Sequence, residues 1–125
     1  PGVMPILNYL RERNQLIALG SASKNARPIL EKTGTLAYFD AIVDGNDVSN
    51  AKPDPEVFLL AAKLLHTKPE DSIVFEDSVA GIQAANIGGM VSVGIGEAST
   101  LHEANYLFKD FTQMDKAFID KLINN

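Results

Sequence analysis

"DSIVFEDSVAGIQAANIGGMVSVGIG", residues 71–96, predicts a strand, a helix and a second strand within one short stretch. Residues 72–75 form an apolar run without polar alternation, which is typical of a strand buried on both faces. An alanine-rich helix is predicted from about Val79 to Ile87, and residues 90–96 return to an apolar strand and a glycine loop. A strand, helix and strand in this order favour parallel pairing with a right-handed crossover.

The same alternation extends towards both ends of the chain. Three more apolar segments are predicted strands, the last of them at an edge: residues 15–19, 41–43 and 105–108. Apolar residues at helical spacing predict four further helices, around residues 3–10, 26–30, 57–65 and 118–123. We therefore expect a single α/β domain over residues 1–125, with a doubly wound, mainly parallel open sheet.

The amino-acid composition argues against several classes of binding partner. The chain has 11 Lys and Arg against 16 Asp and Glu, a net charge of −5, so a surface that follows nucleic-acid phosphates is not expected. There are no cysteines, which excludes disulfides, thiolate catalysis and Cys-based zinc sites. No apolar run approaches the roughly 20 residues of a membrane helix. We expect a cytoplasmic protein that acts on small molecules, with neither a membrane nor a nucleic acid as partner.

Polar side chains gather where the predicted strands end. They are Ser21, Ser23, Lys24 and Asn25 after the first strand, Asp44 after the second, Glu76, Asp77 and Ser78 after the third, and Lys52 in the loop before the third helix. Ligands of open α/β sheets bind at the carboxyl ends of the strands. A hydroxyl, the amides of a helix start and a lysine suit an anion. Two adjacent carboxylates suit Mg²⁺, which also takes phosphate oxygens. The sequence therefore predicts a site for phosphate and Mg²⁺.

Each of these residues also has a purely structural interpretation. A lone serine at residue 21 or 23 could cap a helix, as could Asp77 or Ser78, and Lys52 could be a solvated surface lysine. Four polar side chains within residues 21–25 are more than a cap needs. An acid that ends a buried strand, as Glu76 does, is costly without a partner. Together these features favour the ligand site.

Taken in order, the motifs resemble those of the haloacid dehalogenase superfamily of phosphatases and phosphomutases. Ser21 at a strand end, Lys52 in "KPDP" and "VFEDSVAGIQAA" at 74–85 stand for its second, third and fourth motifs. Within the superfamily, "SASKN" at 21–25, "YFDAI" and "KPDPEVF" are similar to the β-phosphoglucomutase group. Simple phosphatases of the superfamily usually lack the Ser-Lys-Asn extension.

The resemblance implies roles for individual residues. Ser21, the amide of Ala22 and Lys52 would hold the phosphoryl group being transferred, with Ser21 and Lys52 serving in catalysis. Ser23, Lys24 and Asn25 would hold the second, non-reacting phosphate of a sugar bisphosphate. Glu76 and Asp77 would hold Mg²⁺. The implied reaction interconverts glucose 1-phosphate and glucose 6-phosphate through an aspartyl-phosphate.

Two parts of the family pattern do not occur in this sequence. The first motif, Asp-x-Asp at the end of the opening strand, supplies the nucleophile, and a helical cap domain follows it. The resemblance therefore implies the C-terminal part of a core domain, lacking the first strand and the cap, and inactive alone. Because that strand would lie between residues 15–19 and 72–75, we expect two exposed strand edges. Their partner would be the chain's own N-terminal segment or another copy.

Three other interpretations remain. A small-molecule phosphatase of the same superfamily shares most of these motifs. A catalytically inactive phosphosugar-binding fragment would keep the phosphate residues alone. A response-regulator receiver domain also has acids, Ser or Thr and Lys at strand ends, but there the acid pair comes first and the lysine last, whereas here the order is Ser21, Lys52 and then Glu76 and Asp77.

Overall fold

The fold is a set of short parallel strands covered by helices, seen in a computed structural model that describes residues 2–21 and 24–123. The strands are β1 Ala18–Gly20, β2 Ala41–Val43, β3 Ile73–Glu76, β4 Val91–Ile95 and β5 Tyr106–Phe108. The helices are α1 Val3–Glu12, α2 Ala26–Thr33, α3 Glu56–Leu64, α4 Val79–Ile87 and α5 Lys116–Ile123. Within the described ranges, no helix has both the length and the apolar character needed to cross a membrane.

All of the strand pairs are parallel, as predicted. β1 pairs with β2, with Leu19 opposite Ile42. β4 pairs with β3 on one side and with β5 on the other, which leaves β5 at an edge as the sequence predicts. Mixed α/β structure with parallel strands confirms the expected fold class.

Several strand ends differ from the prediction, and two of the differences bear on the site. β1 begins at Ala18 rather than residue 15, because the Gln15 N–H still donates to the Leu10 carbonyl (2.9 Å) to close α1, and Asn14 has φ 56°. β3 continues to Glu76, which lies opposite Gly94 in the ladder. The acid that was predicted to follow the strand is thus its last residue.

Two apolar clusters cover the two faces of the strands. In β3, Val74 belongs to one cluster while Ile73 and Phe75 pack against the other, as expected for side chains that alternate across a strand. The first cluster draws its other buried residues mainly from β2, α3 and α4: Val43, Val57, Phe58, Ala61, Ala62, Ala84, Ala85 and Met90. The second is built around α1, β4 and α5: Ile6, Val93, Met114, Ile119 and Leu122.

A cavity of about 580 Å³ lies between the two groups of strands. Its walls include β1 and β3, and apolar side chains of α1, α3 and α5 complete the lining. Within the described part of the chain, β1 pairs only with β2, and β3 pairs only with β4. The inner edges of β1 and β3 therefore face the cavity without a strand between them, as the sequence leads us to expect.

Candidate functional site

Ser21 and Lys52 line one small pocket beyond the carboxyl ends of β1 and β2. The pocket has a volume of about 190 Å³, and its other walls are Val57 and residues 45 and 48–51. Ser21 directly follows β1, and its N–H donates to the Val43 carbonyl (2.8 Å), which fixes its position against β2. Lys52 enters from the loop before α3. The structure thus brings together two residues that are 31 positions apart in the sequence.

The Lys52 side chain is paired with Glu76 at the end of β3. Its Nζ donates to Oε2 of Glu76 at 2.8 Å and lies 4.9 Å from the ring centroid of Phe58. The two charged side chains are only 15% and 11% exposed. Charges withdrawn from water need a close partner. Lys52 is therefore not a solvated surface lysine but part of the strand-end cluster.

The second carboxylate oxygen of Glu76 accepts hydrogen bonds from the chain that follows it. Oε1 accepts from the N–H groups of Asp77 (3.0 Å) and Ser78 (3.3 Å) and from the Ser78 hydroxyl (3.2 Å). Burial acts to raise the pKa of Glu76, but the hydrogen bond and charge of Lys52 outweigh it, so the pKa lies below its ordinary value. Glu76 is a fixed, ionised carboxylate.

The first turn of α4 is shaped to receive that carboxylate. Ser78 caps the helix by accepting from the Gly81 N–H (3.0 Å), which confirms its structural interpretation. Gly81 leaves open the space that Glu76 occupies, because a Cβ at this position would overlap Cγ, Cδ and Oε2 of the glutamate. Sequence reasoning missed Gly81, although a glycine inside a predicted helix is a signal of close approach.

Asp77 is exposed and directly follows Glu76. The neighbouring Glu76 carboxylate, and to a lesser degree partial burial, raises the pKa of Asp77 above its ordinary value. Within residues 2–21 and 24–123, no group of three or more His, Asp or Glu side chains could hold a metal ion. The two carboxylates still fit Mg²⁺, which keeps several waters and takes phosphate oxygens beside one or two protein carboxylates.

Two of the other predicted phosphate residues lie at the start of α2. Lys24 and Asn25 are exposed and immediately precede the helix. They do not line the small pocket that holds Ser21 and Lys52. Ala22 and Ser23 lie outside the described residues.

Asp44 directly follows β2, as predicted, but it does not line that pocket. It is 3% exposed, and its Oδ2 accepts from Nη1 of Arg27 at 2.6 Å. Arg27 went unnoticed in the sequence because a single arginine in the first turn of a helix carries no distinctive pattern.

A family model described as haloacid dehalogenase-like hydrolase matches residues 1–89. The chain belongs to this family. Among relatives of this haloacid dehalogenase-like chain is the β-phosphoglucomutase of Bacillus subtilis, which is 36% identical over 114 residues, covering 91% of this chain and 50% of the relative. A phosphorylated carbohydrates phosphatase of Thermotoga maritima is 35% identical over 112 residues, covering 87% of this chain and 51% of the relative.

Solved structures agree with the family assignment. The crystal structure of a β-phosphoglucomutase from Clostridium difficile superposes with a TM-score of 0.93 at 39% identity, covering 99% of this chain and 56% of that one. The haloacid dehalogenase-like chain spans about half the length of the curated relatives it matches and is a partial core of the family's fold. Because the relatives include a mutase and a phosphatase, they support a phosphotransferase or phosphatase family.

Proposed function

We propose that this chain supplies the phosphate-binding residues and part of the metal site of a phosphosugar mutase of β-phosphoglucomutase type. The observation that carries the proposal is the shared pocket of Ser21 and Lys52, with Lys52 paired to Glu76 at the carboxyl ends of the strands. Similarity to β-phosphoglucomutases over most of the chain supports glucose 1-phosphate and glucose 6-phosphate as the interconverted pair.

Each residue of the site has a distinct task in the proposal. The Lys52 ammonium acts as a point charge on the transferring phosphoryl group, and the Ser21 hydroxyl donates to one of its oxygens. Lys24 and Asn25 bind the second, non-reacting phosphate. The family resemblance implies that Ser23 shares this task and that the Ala22 amide helps to hold the transferring group. Glu76 and Asp77 hold the metal.

Members of the family and phosphoglucomutases generally use Mg²⁺. When bound, Mg²⁺ supplies positive charge against the oxygens of the phosphoryl group. The 125 residues contain no Asp-x-Asp motif, so the aspartyl nucleophile of the proposed mechanism is not among them. Alone, the chain binds but does not transfer phosphate.

Isothermal titration calorimetry with inorganic phosphate and Mg²⁺ tests the pocket. Lys52→Ala should lower phosphate affinity by about tenfold, because a charge-assisted hydrogen bond is lost. Lys63→Ala, which removes an exposed lysine from α3, is the matched control and should bind as the parent chain does. Equal heats for the parent and Lys52→Ala, with both shown to be folded by circular dichroism, would remove Lys52 from the site.

A small-molecule phosphatase is the second candidate, favoured by the Thermotoga maritima relative. The two functions differ in their need for a residue that holds the non-reacting phosphate. In the whole protein, Lys24→Ala should lower mutase turnover by about tenfold or more while hydrolysis of p-nitrophenyl phosphate changes less than about twofold. Lys32→Ala, on the exposed last turn of α2, controls for lost surface charge. A similar loss on both substrates would favour the phosphatase.

An inactive phosphosugar-binding fragment is the third candidate. If the whole protein binds phosphate but turns over neither substrate, this third candidate is favoured.

A further inference from the structure

Asp44 is a buried carboxylate that the proposed chemistry does not use. The residue is 3% exposed, and both of its carboxylate oxygens accept hydrogen bonds. Oδ2 accepts from Nη1 of Arg27 (2.6 Å), and Oδ1 accepts from the N–H of Asn46 (2.9 Å). A buried, fully paired carboxylate beside the pocket but not in its wall acts through the residues that it holds.

Arg27 ties the beginning of α2 to the end of β2. It is the second residue of the helix, and its Nη2 donates to the Ile42 carbonyl at 2.9 Å while Nη1 binds Asp44. Asp47 adds a second carboxylate, with its Oδ2 3.6 Å from Nη2 in an ion pair. The planar guanidinium, with donors in a fixed fork, holds its acceptors in one relative orientation.

Two more hydrogen bonds attach the residues between β1 and α2 to the residues at and after the end of β2. The Asn46 side-chain Nδ2 donates to the Lys24 carbonyl at 3.3 Å. The Ser21 N–H donates to the Val43 carbonyl at 2.8 Å. Hydrogen bonds therefore connect the segment 42–47 to Ser21, which follows β1, and to Lys24 and Arg27 around the start of α2.

Apolar packing does little to fix the start of α2. Ala26 is the one buried residue of this helix, and Ile29 is 53% exposed. A helix with so little apolar burial gains little positional precision from the core. The polar contacts with segment 42–47 thus decide where Lys24 and Asn25 lie.

We propose that Asp44 is a positioning residue for phosphate binding: by holding Arg27 and Asn46, it sets the distance between Lys24 and the pocket that contains Lys52. That distance decides whether one ligand can place a phosphate at each position. The inference rests on the proposed function for its ligand, a sugar bisphosphate. Displacements of about 1 Å at a binding group are enough to cost large factors in rate or affinity.

Asp40 offers a matched control at the opposite end of β2. Its carboxylate accepts from Nη1 of Arg11 (3.0 and 3.1 Å) and from the Ile17 N–H (2.8 Å). Like Asp44 and Arg27, Asp40 and Arg11 form an aspartate–arginine pair with similar hydrogen bonds. Asp40 precedes β2, whereas the pocket lies beyond the carboxyl end of that strand.

Amide hydrogen exchange, measured by NMR on the chain without ligand, tests the mechanical part of the proposal. Asp44→Asn keeps the shape of the side chain and removes its charge. It should raise the exchange rates of the hydrogen-bonded amides in α2 by about tenfold, beginning with Ile29, whose N–H donates to the Asn25 carbonyl (3.3 Å). Asp40→Asn should leave these rates unchanged and raise those around residues 16–18 instead. Unchanged rates at the α2 amides in Asp44→Asn, or the same increase in both variants, would overturn the proposal.

Ligand affinity separates positioning from a general loss of stability. In the whole protein, Asp44→Asn should weaken binding of glucose 1,6-bisphosphate by about tenfold and binding of inorganic phosphate by less than about twofold. Asp40→Asn should change neither. Equal losses for both ligands in Asp44→Asn would reduce Asp44 to a structural residue. Failure of the parent protein to bind either ligand would count against the proposed function, and the exchange experiment would still decide the role of Asp44 in the fold.

Discussion

Glu76 lies between a lysine and the first turn of a helix, and both neighbours restrict its carboxylate. Lys52 supplies the charge that keeps it ionised, and Gly81 supplies the space. Glycine inside a helix costs about 0.5–1 kcal/mol relative to alanine. At this position the cost is offset by a contact that alanine would prevent.

Gly81→Ala should therefore destabilise the chain although alanine is the better helix former. The new methyl group would displace the Glu76 side chain, and overpacking of this kind costs about 1–3 kcal/mol. Urea denaturation measures the change in free energy of unfolding. Gly88→Ala is the comparison: its φ of −73° suits alanine, and its Cβ would meet only a tight contact of 3.3 Å with the Ala84 carbonyl oxygen, not atoms about 2 Å away as at Gly81.

A double-mutant cycle identifies the cause of that loss. Glu76→Asp shortens the side chain by one methylene, so Gly81→Ala should cost less in its presence than alone. If the two changes are additive, the clash between Gly81 and Glu76 is not the reason for the glycine.

The strand-end residues were predictable because they share one position in the topology. Residues that follow parallel strands meet at one sheet edge, so Ser21, Lys52 and Glu76 could be grouped from the sequence. Gly81 could have been noticed as a glycine inside a predicted helix, but its contact with Glu76 depends on the angle at which α4 leaves β3. The contacts of Arg27 depend on the side chains that face α2. The partners in such contacts have no local sequence pattern.

Among the elements, β2 has only three residues and is held at each end by an aspartate. At its amino end, the hydrogen bond from the Ile17 N–H lowers the pKa of Asp40, burial opposes this, and Arg11 adds to the lowering. The net pKa lies below the ordinary value of 3.8. A depressed carboxylate pKa means that the folded state favours the ionised form.

Asp40 should accordingly make stability depend on pH in the acid range. Its contribution is complete above the unfolded pKa, near 3.8, and is lost as the pH falls through the lower folded pKa. Asp40→Asn should lower the free energy of unfolding at pH 7 by about 1 kcal/mol, a modest value because the pair is partly exposed. The difference from the parent chain should shrink below about pH 4.

Urea titrations at several pH values measure this difference. Glu12→Gln, at an exposed position in α1, is the control. A difference between Asp40→Asn and the parent that is constant from pH 7 to pH 3 would contradict the assignment.

Element limits were predictable to different degrees. α4 occupies the predicted residues Val79–Ile87 because local signals, a capping serine and a following glycine, define both ends. β1 was predicted too early because the exit of α1 uses Gln15 in a turn, and only the pairing with β2 shows where the strand begins.

At the scale of the whole molecule, the cavity between β1 and β3 is suited to hold an additional strand. Its walls are two parallel edges and apolar helix surfaces. Exposed edges of this kind template pairing with another segment. An apolar, extended segment parallel to both strands would end beside Glu76 and Gly20.

A peptide with an apolar run that ends in Asp-x-Asp should bind the chain and raise its Tm. The chain alone should show no phosphotransferase activity, whereas the mixture should show some. The same peptide with Asn-x-Asn should raise the Tm without turnover, and one with proline in the apolar run should do neither. Turnover by the chain alone, with any longer contaminant excluded by mass spectrometry, would show that the nucleophile lies within these residues.

The division of the strands into two groups also bears on how the chain unfolds. In the described residues, β1 and β2 share no backbone ladder with β3, β4 and β5, so the two groups of strands are coupled through packed side chains and the Lys52–Glu76 pair. Cooperativity that depends on side-chain contacts without a shared ladder is easily broken into separate units. Calorimetry should therefore give a van't Hoff enthalpy below the calorimetric one, and a bound strand-forming peptide should restore their equality.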